Sequence, residues 1–174
     1  MKHLKYFGES NLRYNTFEDI LKHLPDEVRH LLYGLKKLRE RPDYHPEENA
    51  FEHVRIVTER LLKTDDPDLV MAAIFHDIGK LAMNIGNSKE GWPTAPKHPE
   101  FGAEMVDKYR DWIWWFGANP DNVKFLVKYH MKFHHDLPKM RKNHPIKREI
   151  ESSSLYHKLE LFSKADNMLY NFNI

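Results

Sequence analysis

Cysteine is absent from the 174-residue chain. That excludes disulfides, thiolate metal sites, iron–sulfur clusters and cysteine nucleophiles. Any bound metal must be held by His, Asp or Glu. Strand signals are scarce too: no alternating apolar run is bounded by turn dipeptides. No apolar run approaches the length that spans a membrane, and the opening residues Met1 to Glu9 lack the apolar stretch of a secretory signal. A soluble, cytoplasmic protein with no membrane partner is the expectation. Net charge is small as well, at +1. It is unevenly spread, however. Between Asp121 and Ile150 there are eight cations (Lys124, Lys128, Lys132, Lys139, Arg141, Lys142, Lys147 and Arg148), opposed by Asp121, Asp136 and Glu149. This stretch reads either as a solvated face or as a rim that attracts phosphate or nucleic acid.

What the chain does have is histidine, twelve in all. Hydrophobic residues make up 41% and charged residues 30%, which places it among globular rather than disordered chains. The length suits one domain with a proper core, and no repeat or linker divides it. Helical periodicity dominates, so an all-α fold is expected. Thr16 caps a short helix to His23. Pro25 opens another to about Glu40, and Pro42 and Pro46 bracket a connector. A long helix follows from Glu47 to Lys63. Asp65-Asp66-Pro67 starts the next, expected to fade after Met83. Residues 84–97 read as a loop. A helix beginning at His98 is expected to end by Gly117, another to run from Asp121 to His135, and a last one from Ile146 to Tyr170, after a basic loop at 137–145.

The apolar stripes of these helices are interrupted by metal-competent side chains. His53 lies in the stripe Ala50, Val54, Val57 and Leu61. His130 lies among Val123, Leu126, Val127, Phe133 and Leu137, with His134 four residues on. Asp166 breaks the stripe Leu155, Leu159, Phe162 and Leu169. The doublet His76-Asp77 sits in a run, Leu69 to Lys80, that is apolar nearly all round, so it should be buried. A buried carboxylate beside a buried imidazole is costly unless something cationic is present. One inward histidine alone is readily explained by a hydrogen bond to a carbonyl. Imidazoles and carboxylates on the core faces of several helices are better explained by a shared divalent ion. His98 stands at a helix start and reads either as a terminal capping residue or as a ligand at the mouth. Lys80 reads as a phosphate-binding group or as a surface lysine at a helix C-terminus. Trp112, Trp114 and Trp115 read as packing residues, with an oligomer interface as the second reading.

In this order, the residues resemble the HD superfamily of metal-dependent phosphohydrolases, whose pattern is His…His-Asp…Asp with further histidines when two metals bind. The resemblance covers roughly Tyr44 to Tyr170 and is strongest at Phe75 to Lys80 and Lys164 to Asn167. It implies a single-domain HD-type helical bundle, with residues 1–43 as an N-terminal helical extension and 44–170 as the motif-bearing core. Tyr44 to His53, Trp92-Pro93 with His98 and Gly102-Ala103, and Leu126 to Met131 are similar to the HD domains joined to bacterial tRNA nucleotidyltransferases. The nucleotidyltransferase head itself is missing. His98 to Ala103 is also similar to cyclic-dinucleotide phosphodiesterases of the HD-GYP type, but the Gly-Tyr-Pro element is absent. Small HD 5′-nucleotidases carry Glu where this chain has Lys80.

The resemblance implies that His53, His76, Asp77 and Asp166 hold one metal. Asp77 would bridge to a second held by His98 and His130. His45, His134 and His135 are possible additions. One or two divalent ions are implied, from among Mn, Fe, Ni, Co, Zn and Mg. The implied activity is hydrolysis of nucleotide or RNA-end phosphoesters, of the 2′,3′-cyclic phosphodiesterase or phosphatase type. Asp77 and Lys80 would be catalytic, and Lys80, Lys97, Lys128 and Lys132 would attract the substrate. The alternatives are nucleoside triphosphate hydrolysis and a non-catalytic, metal-stabilised nucleotide- or RNA-binding module. The partner is a phosphorylated small molecule or RNA end, with a homo-oligomer possible.

Overall fold

The computed structural model describes residues 12–43, 45–81, 86, 87, 91 and 93–172, and for 86, 87, 93, 134 and 135 the backbone alone. Met1 to Glu9, Tyr44, Met83, Asn84 and Trp92 lie outside the described residues, as do the side chains of His134 and His135. The fold is all-α. Its helices are α1 (Phe17–His23), α2 (Asp26–Gly34), α3 (Ala50–Leu62), α4 (Pro67–Phe75), α5 (His98–Lys108), α6 (Arg110–Phe116), α7 (Pro120–His135), α8 (Pro145–Ser152) and α9 (Tyr156–Asp166). The expected loop at 84–97 contains a two-residue antiparallel ladder, Gly86–Asn87 against Pro93–Thr94.

The axis of the molecule is α4. Asp66 accepts hydrogen bonds from the backbone N–H groups of Asp68 and Leu69, and Pro67 occupies the first turn, where its missing N–H costs nothing. Every residue from Asp68 to Phe75 is buried. A helix that is apolar all round must be enclosed, and α3, α5, α7 and α9 pack about it. Each fully buried Leu, Ile or Phe contributes roughly 1.5–3 kcal/mol. The N-terminal helices α1 and α2 pack on α3.

Several helices are shorter than periodicity suggested, for local reasons. Asn49 caps α3 by accepting from Phe51 N and Glu52 N, so Glu47 lies before the helix rather than in it. The α2 helix stops at Gly34 and tightens into a 3₁₀ turn, Leu35–Lys37. The helix from His98 is divided at Tyr109, and α6 ends on Gly117 at φ 109°, the left-handed cap that glycine adopts without strain. The last helix is divided at a serine run: Ser153 is extended and its Oγ accepts from Leu155 N, the local competition by which serine interrupts helices. It ends at Asp166, so Leu169 is 65% exposed rather than part of the stripe. The expectation that all three tryptophans pack fails at Trp114, which is 68% exposed, and at Trp115, at 45%. Trp112 is half-buried against the core.

Candidate metal centre

The long helix expected to carry the doublet ends one residue before it. His76 N still reaches Ala72 O, but the chain then tightens into a 3₁₀ turn, Ile78–Lys80. This break turns the Asp77 carboxylate into the space between α3, α5, α7 and α9. Two glycines let the neighbours close in. A Cβ on Gly79 would lie 2.5 Å from His98 O, and one on Gly102 would lie 2.6 Å from Phe75 O. The absence of those two methyl groups allows the start of α5 to sit against the doublet.

Four imidazoles are oriented in one way. Nδ1 of His76 lies 2.8 Å from Ala73 O, Nδ1 of His98 2.6 Å from Ala95 O, and Nδ1 of His130 2.7 Å from Val127 O. Each carbonyl is three residues upstream. A carbonyl only accepts, so each Nδ1 carries a proton and each Nε2 is the atom left to take a metal or a second proton. Nδ1 of His53 donates to Glu47 Oε1 at 2.7 Å. All four Nε2 atoms therefore turn to the interior, where all four rings are buried.

There they meet two carboxylates and each other. Nε2 of His53 is 2.9 Å from Asp166 Oδ1. Nε2 of His76 is 3.3 Å from Asp77 Oδ2 and 3.4 Å from Asp166 Oδ1. Nε2 of His98 is 3.2 Å from Asp77 Oδ1 and 3.2 Å from Nε2 of His130. Two lone pairs facing each other at that distance repel unless a cation lies between them. Nε2 of His76 and Oδ2 of Asp77 are buried without an aligned hydrogen-bond partner. Two sets of donor atoms around the two aspartates each lie within 4.8 Å of one another, His53, His76 and Asp166, and Asp77, His98 and His130, and a third such set, His45, Glu47 and His53, adjoins the first. Imidazole nitrogen with carboxylate oxygen suits first-row divalent ions. The residues fit a metal, and the Nδ1 bonds supply the outer partners that metal-binding histidines need.

The electrostatics ask for positive charge. Burial works against charging His76, yet the Asp77 and Asp166 carboxylates raise it to about 10. Burial and the neighbouring His76 and His98 push His130 down to about 3. Burial also opposes ionisation of Asp77 and Asp166, but the surrounding imidazoles, with Lys80 for Asp77, hold both well below the usual carboxylate range.

Of the sequence-predicted site residues, His53, His76, Asp77, His98, His130 and Asp166 come together. Lys80 is close: its Nζ is 2.8 Å from Asp77 Oδ2 and 2.6 Å from Glu40 Oε1, and its side chain is only 16% exposed, so it is not a surface lysine. His45 lies beside His53, with ring centroids 4.8 Å apart, and donates from Nδ1 to the same Glu47 oxygen at 2.8 Å. Lys97 is exposed next to His98. Lys128 and Lys132 do not join the cluster. A step of two residues turns about 200° round a helix, so both lie across α7 from His130. Lys128 is exposed over the Tyr129 ring at 4.7 Å, and Lys132 pairs with Asp136 at 3.2 Å.

Sequence reasoning missed three residues. Glu47 orients His53 and His45. Glu40, from the segment before α3, holds Lys80. Arg60 donates to Ala165 O at 2.8 Å and Asn167 O at 3.1 Å, which secures the end of α9 on either side of Asp166. Glu47 had a signal, standing six residues before His53 in the segment already singled out. Glu40 and Arg60 had none, because their partners are distant in sequence.

The family model described as HD domain matches residues 49–167, more than half of the chain. No curated protein and no solved structure gives a significant match. The chain belongs to the HD-domain family, a superfamily of metal-dependent phosphohydrolases.

Proposed function

We propose that this HD-domain protein hydrolyses phosphoesters at nucleotide or RNA ends, as a 2′,3′-cyclic phosphodiesterase or phosphatase. The observation that carries the reading is the position of Asp77. Its Oδ2 faces His76 at 3.3 Å and its Oδ1 faces His98 at 3.2 Å, so one buried carboxylate borders both donor sets. His53, His76, Asp77 and Asp166 would hold one ion, and Asp77, His98 and His130 a second. When bound, such ions polarise phosphoryl oxygens and acidify water toward neutral pH. Support for a nucleotide or RNA end comes from the sequence likeness to the HD domains of tRNA nucleotidyltransferases.

The protein's own groups do the positioning. Glu47 fixes the His53 tautomer, and the carbonyls of Ala73, Ala95 and Val127 fix the other three. Lys80 offsets the Asp77 charge and is placed one short turn away, where its ammonium would draw a phosphoryl oxygen. Glu40 holds Lys80 in that place.

The test is a panel of 2′,3′-cyclic nucleotides, 2′- and 3′-nucleotides, 3′-phosphorylated RNA and nucleoside triphosphates. Each is assayed with added manganese, nickel, cobalt or magnesium and with a chelator. The reading expects metal-dependent turnover of cyclic or terminal phosphates. Turnover confined to triphosphates would overturn the substrate assignment. Full activity in chelator, with metal-free protein by elemental analysis, would overturn the reading altogether.

A further inference from the structure

The basic stretch after Asp121 separates, in the folded protein, into two groups of cations. Lys124 pairs with Asp107, Lys132 with Asp136 at 3.2 Å and Lys147 with Glu151 at 3.7 Å, and Lys128 lies over the Tyr129 ring. These four are engaged. Lys139, Arg141, Lys142 and Arg148 are different. All four are exposed, and among the described residues none has an ion-pair partner. Elsewhere Lys22, Arg29, Arg55, Lys108, Arg110 and Lys164 sit beside carboxylates, while Lys36, Lys37 and Arg39 form a shorter exposed run with Lys36 over the Tyr33 and Phe51 rings. Four cations within ten residues repel one another, and among the described residues no carboxylate lies within ion-pair distance of any of them.

The same segment includes the start of α8, where His144 provides no side-chain cap and Pro145 occupies the first turn. The positive end of that helix adds to the field. Apolar side chains do not. Ile150 is fully buried, and among the described residues the exposed large hydrophobics (Tyr33, Trp114, Trp115, Met131, Leu169 and Tyr170) all lie outside residues 139–148. A surface that enters a lipid headgroup layer needs an apolar face to insert, and α8 spends its own on the core. The chemistry that remains is a hydrophilic polyanion with evenly spaced charges.

Position relates the patch to the metal centre. His130 and the patch are joined by the last five residues of α7 and a short turn. The helical part covers about 8 Å, and four further residues reach at most about 14 Å. Lys139 therefore lies no more than about 22 Å from His130. A stacked strand rises about 3.4 Å per nucleotide, so a strand of about six nucleotides is long enough to reach from the metal centre to the patch.

We infer that Lys139, Arg141, Lys142 and Arg148 form a docking track for the sugar–phosphate backbone of a nucleic-acid strand whose end lies at the metal centre. This rests on the reading of the site as acting on nucleotide or RNA ends, and it narrows that reading to oligomeric substrates. Arginine and lysine serve such a track as sequence-independent phosphate contacts.

The experiment uses the full chain as purified and a fluorescein-labelled 2′-O-methyl RNA ten-mer with a 3′-hydroxyl end. This probe has no cyclic or terminal phosphate to hydrolyse. Anisotropy is read between 50 and 200 mM salt. Four phosphate contacts on a single strand give a slope of about −2.8 in log affinity against log salt. The variant K139Q/R141Q/K142Q/R148Q should bind at least tenfold more weakly and lose most of that slope, with an unchanged melting temperature. Adenosine monophosphate should compete poorly. Equal binding and slope in parent and variant would overturn the inference, as would a parent that does not bind the ten-mer. Tighter, variant-sensitive binding to phosphatidylserine vesicles than to RNA would assign the track to membranes instead and overturn it. A protein that binds RNA but hydrolyses no phosphoester sinks the functional reading and leaves this inference standing. A protein that hydrolyses cyclic nucleotides without binding the ten-mer does the reverse.

Discussion

At the scale of single residues, Asp77 and Glu47 make different demands. Asp77 borders both donor sets, so Asp77→Ala should remove bound metal and abolish hydrolysis, while His98→Ala should do less damage if one ion suffices. Metal content by elemental analysis, read beside the rate, checks this; a parent-like metal content and rate in Asp77→Ala would refute the assignment. Glu47 lies outside the two donor sets that Asp77 borders and groups with His45 and His53. Burial pushes its carboxyl up, but hydrogen bonds from His45 and His53 bring it down to about 2. Its ionised form is therefore what holds His53 with Nδ1–H outward and Nε2 inward. Glu47→Gln keeps the shape and removes the charge. Outer partners of metal-binding histidines typically account for 10–100-fold in affinity, so calorimetric titration of manganese or nickel should show a loss of about that size. An unchanged dissociation constant would mean that Glu47 only fills space. A sequence shows which residue types can bind metal and in which helical phase. It does not show that Glu47, outside the helix, bends back to one of them.

At the scale of elements, the phases of α3, α7 and α9 were legible because an inward His or Asp interrupts a run of aliphatics in each. The ends were not. The expected helix through His76-Asp77 stops at Phe75, and the turn that follows is what aims Asp77. Helix length is decided by tertiary packing as much as by propensity, and the packing here is the arrival of α5 at Gly79. A β-carbon on Gly79 would meet His98 O at 2.5 Å and His98 Cα at 3.0 Å, both backbone atoms that cannot swing aside. Gly79→Ala should thus push α5 off the turn and displace His98. A drop in melting temperature together with weaker metal binding, the second ion most affected, is the expected result; a parent-like melt and affinity would show that α5 yields at no cost. The start of α4 has a different fastening. Asp68 accepts from Asn119 N at 2.7 Å and Asn122 Nδ2 at 2.8 Å, and pairs with Lys158 at 2.7 Å, so one carboxylate ties α4, α7 and α9 together. Burial lowers the Lys158 pKa, but the bonds to Asp66 and Asp68 outweigh it and raise the value above 10.5. A lysine whose folded pKa is raised contributes stability that is complete below its unfolded value and lost as pH climbs through the folded one. Lys158→Met should cost roughly 1 kcal/mol near pH 8. Chemical denaturation should show the gap closing above about pH 10.5; a gap that widens there would reverse the sign of the argument.

At the scale of the whole molecule, the centre is a joint. Its donors come from α3, the turn after α4, α5, α7 and α9, the helices that pack around or continue the central helix. Without a metal ion, two carboxylates and four inward Nε2 atoms meet in a buried space, which is costly. The fold tolerates this because the aliphatic faces around it are fully buried, but the site works against them. An ion that binds only the folded form adds stability in proportion to RT ln(1 + [L]/Kd), about 2.7 kcal/mol at a hundred times Kd. For a domain of this size each kcal/mol moves the melting temperature by about 2–4 °C. Saturating manganese or nickel should therefore raise the melting temperature by roughly 5–11 °C, and chelation should reverse it. Asp77→Asn separates the two contributions. It removes a charge that Lys80 and His76 stabilise in the fold, so the chelated variant should melt below the chelated parent. It also removes the shared ligand, so metal should no longer raise the melt. A parent whose melt metal does not raise, or a variant that metal still stabilises as much as the parent, would mean that the cluster is a buried ion-pair network rather than a metal joint.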